Sequence, residues 1–444
     1  MTSSSTTPGH WRVDPTRELS GTITVPGDKS ISHRSLMLGG IASGTTEVTG
    51  FLASEDCLAT LTALRSLGAV VEQRAPDHLL VRGVGARGLR APAGPLDMGN
   101  AGTAMRLFMG LLSGQGFDST LIGDSSLMRR PMERVARPLR EMGAVIETLE
   151  GRPPVVIRGG QPLHAIDFQM PVASAQVKSA LLLAALGAEG RTRITEPAPT
   201  RDHTERMLGG FGVEVLRQGH SVLIEGGQRL EATRIEVPGD FSSAAFFIVA
   251  ASLGEGPGLR LLNVGINPTR TGLLDMLLSM GADIRVHRRQ DSAGPEPVAD
   301  LEIRPARLRG LRVAEGLVPL AIDEFPVFFI AAACAEGDTL VRGAQELRVK
   351  ESDRLAVMAE GLAALGVEHE LLDDGMWIRG KGSGDAFQSG SIDSHGDHRV
   401  AMSFAVASLR AAGPIQVRDT ANVATSFPGF AGLARHCGLK LVEL

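Results

Sequence analysis

Tyrosine is absent from the 444 residues, tryptophan occurs twice and cysteine three times. Without a phenol, no tyrosine can serve as acid, base or stacking group. Cys57, Cys334 and Cys437 are odd in number, show no metal-ligand spacing and sit in apolar, helix-like segments. They read as buried free thiols of a reducing compartment, and no metal site is expected. Long hydrophobic runs are also missing: none reaches about 18 residues without a polar or glycine break, which argues against a membrane span. Nor is there a basic excess. The formal net charge of −5 leaves no positive field for general binding to nucleic acid or membrane surfaces, although a local cluster can still hold a small anion. The opening Met1–Gly9 lacks the charged start and apolar core of a signal peptide. Residues 1–14 are expected to form a disordered leader, and a cytoplasmic enzyme is the base expectation.

Lysine is scarce as well. Only Lys29, Lys178, Lys350, Lys381 and Lys440 stand against 40 arginines. Where arginine is used almost everywhere, lysine is expected to persist where a compact ammonium or an adjustable pKa is needed. Lys29, Lys178 and Lys350 all fall in motifs. Lys178 is the weakest of the three, and solvent exposure is its simplest reading.

What is present is a repeat. Six polar openings, at Ser30–Arg34, Gly102–Arg106, Ser174–Lys178, Phe241–Ser243, Asp323–Pro326 and Asp397–Arg399, each run into an apolar, small-residue helix. A strand follows, then an amphipathic helix closing on Gly68, Gly143, Gly212, Gly281, Gly366 or Gly438, at separations of 69 to 85 residues. A near-constant period this long marks one supersecondary unit used repeatedly. Helix N-termini attract anions, so gathering several of them suggests an anionic ligand.

The phrase Val25-Pro-Gly-Asp28 returns as Val237-Pro-Gly-Asp240, three repeats later. It marks the matching ends of two domains: 27–238, and 239–444 joined by residues 15–26, with hinges near 25–28 and 237–240. The strand-like Gly21–Val25 resembles Thr233–Val237 and is expected to complete a sheet of the second domain. Gln290–Pro297 reads as a surface loop. Two domains leave a cleft, where ligands often sit.

Lys29 and Ser30 at a helix start, with Arg34 one turn on, combine ammonium, hydroxyl and free N–H groups into a phosphate or carboxylate site; capping alone would account only for Ser30. In Gly99–Arg106, Gly102 and Thr103 let a ligand approach the backbone, and Asn100 is placed to cap. Arg130 stands before Pro131, which suits a first helical turn, and can grip a carboxylate or simply lie exposed. Lys350, Glu351 and Arg354 fall within one helical turn; Glu351 and Arg354 also suit a surface pair worth a few tenths of a kcal/mol. Asp353 reads as structural. Asp323 is either a cap or a general base for a hydroxyl. His398 is a capping or orienting residue, and Arg399 adds a cation.

Together Gly27–Arg34, Gly99–Arg106, Arg130-Pro131, Ser174–Gln176, Arg348–Arg354, Asp397–Arg399 and Ser426–Pro428 resemble the 5-enolpyruvylshikimate-3-phosphate synthase family. The resemblance covers essentially everything after residue 15. It implies an α/β (α+β type) fold, the inside-out α/β barrel of the enolpyruvyl transferases, with six βαβαββ repeats, three per domain. It implies transfer of the enolpyruvyl group of phosphoenolpyruvate to the 5-hydroxyl of shikimate 3-phosphate, with release of phosphate, through a tetrahedral intermediate. By the same resemblance Lys29, Ser30, Arg34, Ser174, Gln176, Arg201, Asp323 and Lys350 hold shikimate 3-phosphate. Lys29, Gly102, Arg130, Gln176, Arg354 and Arg399 hold phosphoenolpyruvate. Asp323 takes the hydroxyl proton; Glu351, helped by Lys29, protonates the methylene carbon and later removes a proton. No cofactor or metal is implied, no nucleic-acid or membrane partner, and a monomer is expected.

Departures place the chain nearest the family's second branch. Val172–Lys178, Thr200–Glu205 and Thr425 follow that branch, and Ala175 replaces a serine of the first. Gly102 follows the first branch instead; an alanine there excludes the inhibitor glyphosate in the family, so sensitivity is expected. Two rival readings remain: a transferase acting on a UDP-amino sugar, against which Ser125-Ser126 stand where that family usually has a reactive cysteine, and a silent anion-binding scaffold.

Overall fold

Two kinds of helix alternate along the chain, and burial separates them. The computed structural model describes residues 9–289, 294–382 and 384–444. Its helices are α1 (Lys29–Ile41), α2 (Glu55–Ser66), α3 (Gly102–Ser113), α4 (Glu133–Glu141), α5 (Ala175–Ala185), α6 (His203–Gly210), α7 (Phe241–Leu253), α8 (Gly272–Ser279), α9 (Phe325–Cys334), α10 (Arg354–Ala364), α11 (His398–Ala407) and α12 (Phe430–His436). The odd-numbered helices are apolar nearly all round, as a helix enclosed by other elements must be. In α1, α3, α5 and α11 the only residues not fully buried are in the first turn: Lys29 and Ser30, Thr103, Ala175 and Gln176, and Arg399. The polar openings are therefore the accessible tips of core helices.

The even-numbered helices bury one face. Each is followed by its closing glycine in the left-handed region, with φ between 75° and 112°, where a side chain is strained and glycine is not.

The chain folds into two compact units, one of residues 27–238 with 291–296, the other of residues 1–26, 239–290 and 297–444. Within each unit lie three sheets. The recurring pattern is a strand after the core helix, parallel to one neighbour and antiparallel to the hairpin that follows the second helix. Thus Thr45–Thr49 runs parallel to Arg234–Glu236 and antiparallel to His78–Arg82. In the sheet of Glu336–Val341 the parallel partner shrinks to bridges from Arg309 and Arg312.

Glu18–Thr24 pairs in parallel with Glu255–Gly265, so the segment before Pro26 does complete a sheet of the unit that contains α7. The disordered leader expected over residues 1–14 needs correction. Residues 1–8 lie outside the described residues, but Trp11–Asp14 is a strand between Ile415–Arg418 and Lys440–Glu443. It takes the position that the last hairpin strand holds in the other sheets, and Trp11 stacks on Phe430 at 5.5 Å. Burying that indole stabilises the strand by about 2 kcal/mol. The loop expected at 290–297 lies partly outside the described residues. Of its end, Glu296 is buried and meets His203 Nδ1 at 2.7 Å, so it is not a solvated surface position.

Core packing brings backbones close. A Cβ at Gly110 of α3 would lie 2.0 Å from the Ala180 carbonyl oxygen of α5, and one at Gly361 of α10 would lie 2.2 Å from the Phe404 ring of α11. Such close approaches fix where each helix tip stands.

Candidate active site

In the 27–238 unit, α1 is capped by Asp28, whose carboxylate accepts from the Ile31 N–H at 2.8 Å. Ser30 is thereby released from the capping role considered for it. Lys29 Nζ donates to Asp56 Oδ2 of α2 at 2.9 Å, a partner that the Glu55-Asp56 pair at a helix start signals only in hindsight. Arg34 is buried and folds back along the helix, donating to the Ser30 carbonyl at 2.9 Å, Thr204 Oγ1 at 2.7 Å and Ser179 Oγ at 2.8 Å. All three of these acceptors are neutral oxygens. Burial pulls its pKa down to about 10, with Glu205 and Asp28 opposing the shift. A buried cation bonded only to neutral groups favours an anion beside it.

The tip of α3 lies beside α5. Arg106 Nη1 donates to Gln176 Oε1 at 2.9 Å and its Nη2 to the Pro131 carbonyl at 3.1 Å; Gln176 Nε2 donates to Thr103 Oγ1 at 2.9 Å. Arg106 therefore orients both Gln176 and the turn that carries Arg130. Arg130 is buried and donates to Asn100 Oδ1 at 2.6 Å, while Asn100 Nδ2 donates to Asp124 Oδ2 at 2.7 Å. Asn100 is thus an arginine holder rather than the expected helix cap. The first-turn placement of Arg130-Pro131 is also corrected: Arg130 has extended backbone after the 3-10 turn Leu127–Arg129, and α4 starts only at Glu133, beyond Pro131. Ser174 caps α5, accepting from Val177 N. Arg201 is half-buried just before α6.

Lys178 is not solvated. Its side chain is fully buried, with Nζ 3.0 Å from Glu196 Oε1, 2.7 Å from Glu205 Oε1 and 3.3 Å from the Thr200 carbonyl. His33, also buried, hydrogen-bonds through Nδ1 to Thr60 Oγ1 at 2.7 Å and is held neutral by burial and by the cations Lys29 and Arg34.

In the 239–444 unit the centre is Arg354, 1% exposed. Its Nε donates to Asp397 Oδ2 at 2.8 Å, Nη1 to Asp323 Oδ1 at 3.2 Å and Nη2 to Glu351 Oε2 at 2.5 Å. The pairing of Glu351 with Arg354 is therefore buried on one side, not a surface pair. Burial alone would lower the Arg354 pKa, but Asp397, Glu351 and Asp323 raise it well above the ordinary value. Lys350, Glu351 and Arg354 do not share a helical turn: Gln345–Val349 is a 3-10 turn and α10 begins at Arg354, capped by Asp353. Lys350 and Glu351 are loop residues, which lets both point toward Asp323 and Arg354. Lys350 Nζ lies 3.7 Å from Asp323 Oδ1, and its pKa is lowered by burial against the pull of Asp323 and Glu346.

Asp323 is not the cap of α9; Glu324 holds that position. The Asp323 carboxylate faces the cations, while Arg399 Nη1 donates to its backbone carbonyl at 3.1 Å. Asp397 caps α11 by accepting from Arg399 N at 2.9 Å, so His398 is a buried helix residue rather than a cap. The opening of α7 differs: Arg270, Asp240, Ser242 and Glu324 bond among themselves, with Arg270 Nη2 3.2 Å from Asp240 Oδ1.

Each unit thus presents cations and a few acids at core-helix tips, suited to binding small anions and moving protons. Among the described residues no group of His, Cys, Asp and Glu could hold a metal. The model of the family described as "EPSP synthase (3-phosphoshikimate 1-carboxyvinyltransferase)" matches residues 13–433. The 3-phosphoshikimate 1-carboxyvinyltransferase of Alkalilimnicola ehrlichii is 59% identical over 434 residues, covering 98% of this chain and 96% of its own. That of Methylococcus capsulatus is 59% identical over 428 residues, covering 96% and 97%. An EPSP synthase structure from Acinetobacter baumannii superposes with a TM-score of 0.88 at 53% identity, covering 98% of this chain and all of that one. The enolpyruvyl transferase NikO from Streptomyces tendae shares the fold, with a TM-score of 0.80 at 17% identity over 98% and 99% of the two chains. With its motifs, its helix-tip clusters and nearly all of its length aligned, the chain belongs to the EPSP synthase (3-phosphoshikimate 1-carboxyvinyltransferase) family.

Proposed function

We propose residue roles for the reaction of this family, transfer of the enolpyruvyl group of phosphoenolpyruvate to the 5-hydroxyl of shikimate 3-phosphate with release of phosphate. The observation that carries them is the Asp323 carboxylate set 3.2 Å from Arg354 and 3.7 Å from Lys350 without serving as a helix cap. A carboxylate oriented by neighbouring cations can accept a proton from a substrate hydroxyl. Lys29, Ser30, Arg34, Ser174, Gln176, Arg201, Asp323 and Lys350 bind shikimate 3-phosphate. Lys29, Gly102, Arg130, Gln176, Arg354 and Arg399 bind phosphoenolpyruvate.

In the addition step the 5-hydroxyl loses its proton to Asp323 as its oxygen attacks C2 of phosphoenolpyruvate. Glu351, with Lys29, delivers a proton to C3, and a tetrahedral intermediate forms. In the elimination Glu351 takes a proton back from the new methyl group as the C–O bond to phosphate breaks and phosphate leaves. The arginines stabilise charge throughout, and the enzyme forms no covalent adduct. The reaction needs no cofactor.

The chain is also proposed to act as a cytoplasmic monomer; among the described residues no helix is long and apolar enough to cross a membrane. Phosphate release from phosphoenolpyruvate, followed with and without shikimate 3-phosphate, tests the reading. Release that depends on shikimate 3-phosphate is expected. Release driven only by a UDP-amino sugar, or none at all, overturns it. Asp323→Ala is expected to lower kcat at least about 100-fold, far more than it lowers shikimate 3-phosphate affinity; unchanged turnover removes Asp323 from the mechanism.

A further inference from the structure

We propose that Lys178, with Glu196 and Glu205, forms a buried positioning network for Arg34 and Arg201, the two arginines assigned above to shikimate 3-phosphate. The inference rests on that assignment. Its basis is a pattern of adjacent residues. Lys178 on α5 is followed by Ser179, whose hydroxyl accepts from Arg34 Nη2 at 2.8 Å. Glu205 on α6 is preceded by Thr204, whose hydroxyl accepts from Arg34 Nε at 2.7 Å and donates to Ser179 at 2.8 Å. The Thr200 carbonyl, which accepts from Lys178 Nζ at 3.3 Å, belongs to the peptide that leads into Arg201. Thr200 also donates its hydroxyl to Glu196. At each point one residue faces the ionic centre and its chain neighbour holds, or carries, a substrate arginine.

Charge points the same way. One ammonium faces two carboxylates, an excess of negative charge inside the fold. Arg217 approaches Glu196 at 3.6 Å. Glu205 is the strongest influence holding the proton on Arg34 against its burial. Removing Lys178 would leave Glu196 to Arg217 and Glu205 without its ammonium, so that Glu205 draws Arg34 away from its neutral acceptors. An arginine at 178 would not substitute, because a planar guanidinium cannot place three donors around one point as an ammonium does.

The test compares Lys178→Gln, Glu205→Gln and Thr204→Val with the unaltered enzyme in steady-state phosphate release, with each substrate varied in turn. The expected result is a KM for shikimate 3-phosphate raised about tenfold, the scale of one misdirected charged hydrogen bond, with the KM for phosphoenolpyruvate within about twofold of its starting value. Thr204→Val leaves the ionic centre in place and removes the acceptor for Arg34 Nε together with the donor to Ser179, so it and the isosteric Glu205→Gln decide the matter if Lys178→Gln does not fold. An unshifted shikimate 3-phosphate KM in these two variants overturns the inference. An equal rise in both KM values accompanied by a lower melting temperature also overturns it, because that is what a purely structural network would give. Unaltered enzyme that releases no phosphate overturns the functional reading and this inference with it, whereas normal turnover with unshifted variants overturns the inference alone.

Discussion

A methyl group at Gly102 would stand 2.9 Å from Arg130 Nη1 and 3.2 Å from Arg106 Nη1. Arg130 also donates through Nη2 to Asn100 Oδ1, so a shift away from the methyl group disturbs a charged hydrogen bond. Gly102→Ala is therefore expected to raise the KM for phosphoenolpyruvate several-fold, about 1 kcal/mol, with the KM for shikimate 3-phosphate nearly unchanged. By the resemblance to the family at Gly102, the unaltered enzyme is expected to be inhibited by glyphosate well below millimolar concentration and Gly102→Ala to need far more. Inhibition titrations at saturating shikimate 3-phosphate check this; a millimolar constant for the unaltered enzyme would count against it.

Lys350 is pushed by burial below its ordinary pKa of 10.5, even with Asp323 and Glu346 nearby. Its charge, and with it the attraction proposed for shikimate 3-phosphate, is lost at a lower pH than an ordinary lysine would allow. The KM for shikimate 3-phosphate should rise on the alkaline side below pH 10.5, while Lys350→Arg should show a flatter alkaline limb on a poorer baseline. Stability moves the other way. Between the lowered pKa and 10.5 the unfolded chain binds more protons at this residue than the folded one, so its contribution to stability rises with pH across that window. KM profiles from pH about 7 to 10 decide the first point, and an unchanged KM across that range would refute it.

Gly110 illustrates a constraint of packing alone. Its Cβ position falls 2.0 Å from the Ala180 carbonyl oxygen and 2.8 Å from the Ala180 α-carbon, both backbone atoms of α5. Neither can rotate aside, so Gly110→Ala must separate α3 from α5. Overpacking of this kind costs about 1–3 kcal/mol. Because Gln176 at the tip of α5 bonds to Thr103 and Arg106 at the tip of α3, activity should fall as well as melting temperature. A variant as stable as the parent would show that the helices part freely.

The repeat is legible in the sequence because its cause is local. Apolar, small-residue stretches and closing glycines follow from helix burial and left-handed backbone, so the positions of α1 through α12 can be read from residue type. Which polar residue serves which purpose is not legible, because neighbours compete for the cap. Asp28 takes it from Ser30, and Glu324 rather than Asp323 occupies the cap position of α9. Lys178 reads as solvent-facing because its partners, Glu196 and Glu205, come from later segments and nothing in its own helix announces them. Trp11–Asp14 reads as leader for the same reason: four residues carry little strand signal, and both their neighbours come from the far end of the chain.

Asp397 offers the sharpest test of how the second cluster is held. Its side chain is fully buried, accepting from Arg354 Nε at 2.8 Å, from Ser352 Oγ at 3.1 Å and from the Arg399 N–H that begins α11 at 2.9 Å. Burial alone would raise its pKa, but the Arg354 guanidinium more than offsets this and holds it below the ordinary 3.8. The stabilisation is therefore present above pH 3.8 and is lost as the pH falls through the depressed folded value. Asp397→Asn keeps one oxygen for the helix cap but puts a neutral amide N–H₂ where the other oxygen accepts from Arg354 Nε and Ser352 Oγ, leaving Arg354 to Asp323 and Glu351. Breaking a buried pair in this way is expected to cost about 3 kcal/mol near neutral pH, and Asp397→Ala about 1 kcal/mol more through the lost cap. Urea unfolding of both variants and the parent, repeated at falling pH, supplies the measurement. The gap between parent and Asp397→Asn should narrow in acid; a gap that stays constant would mean that packing, not the ion pair, anchors Arg354.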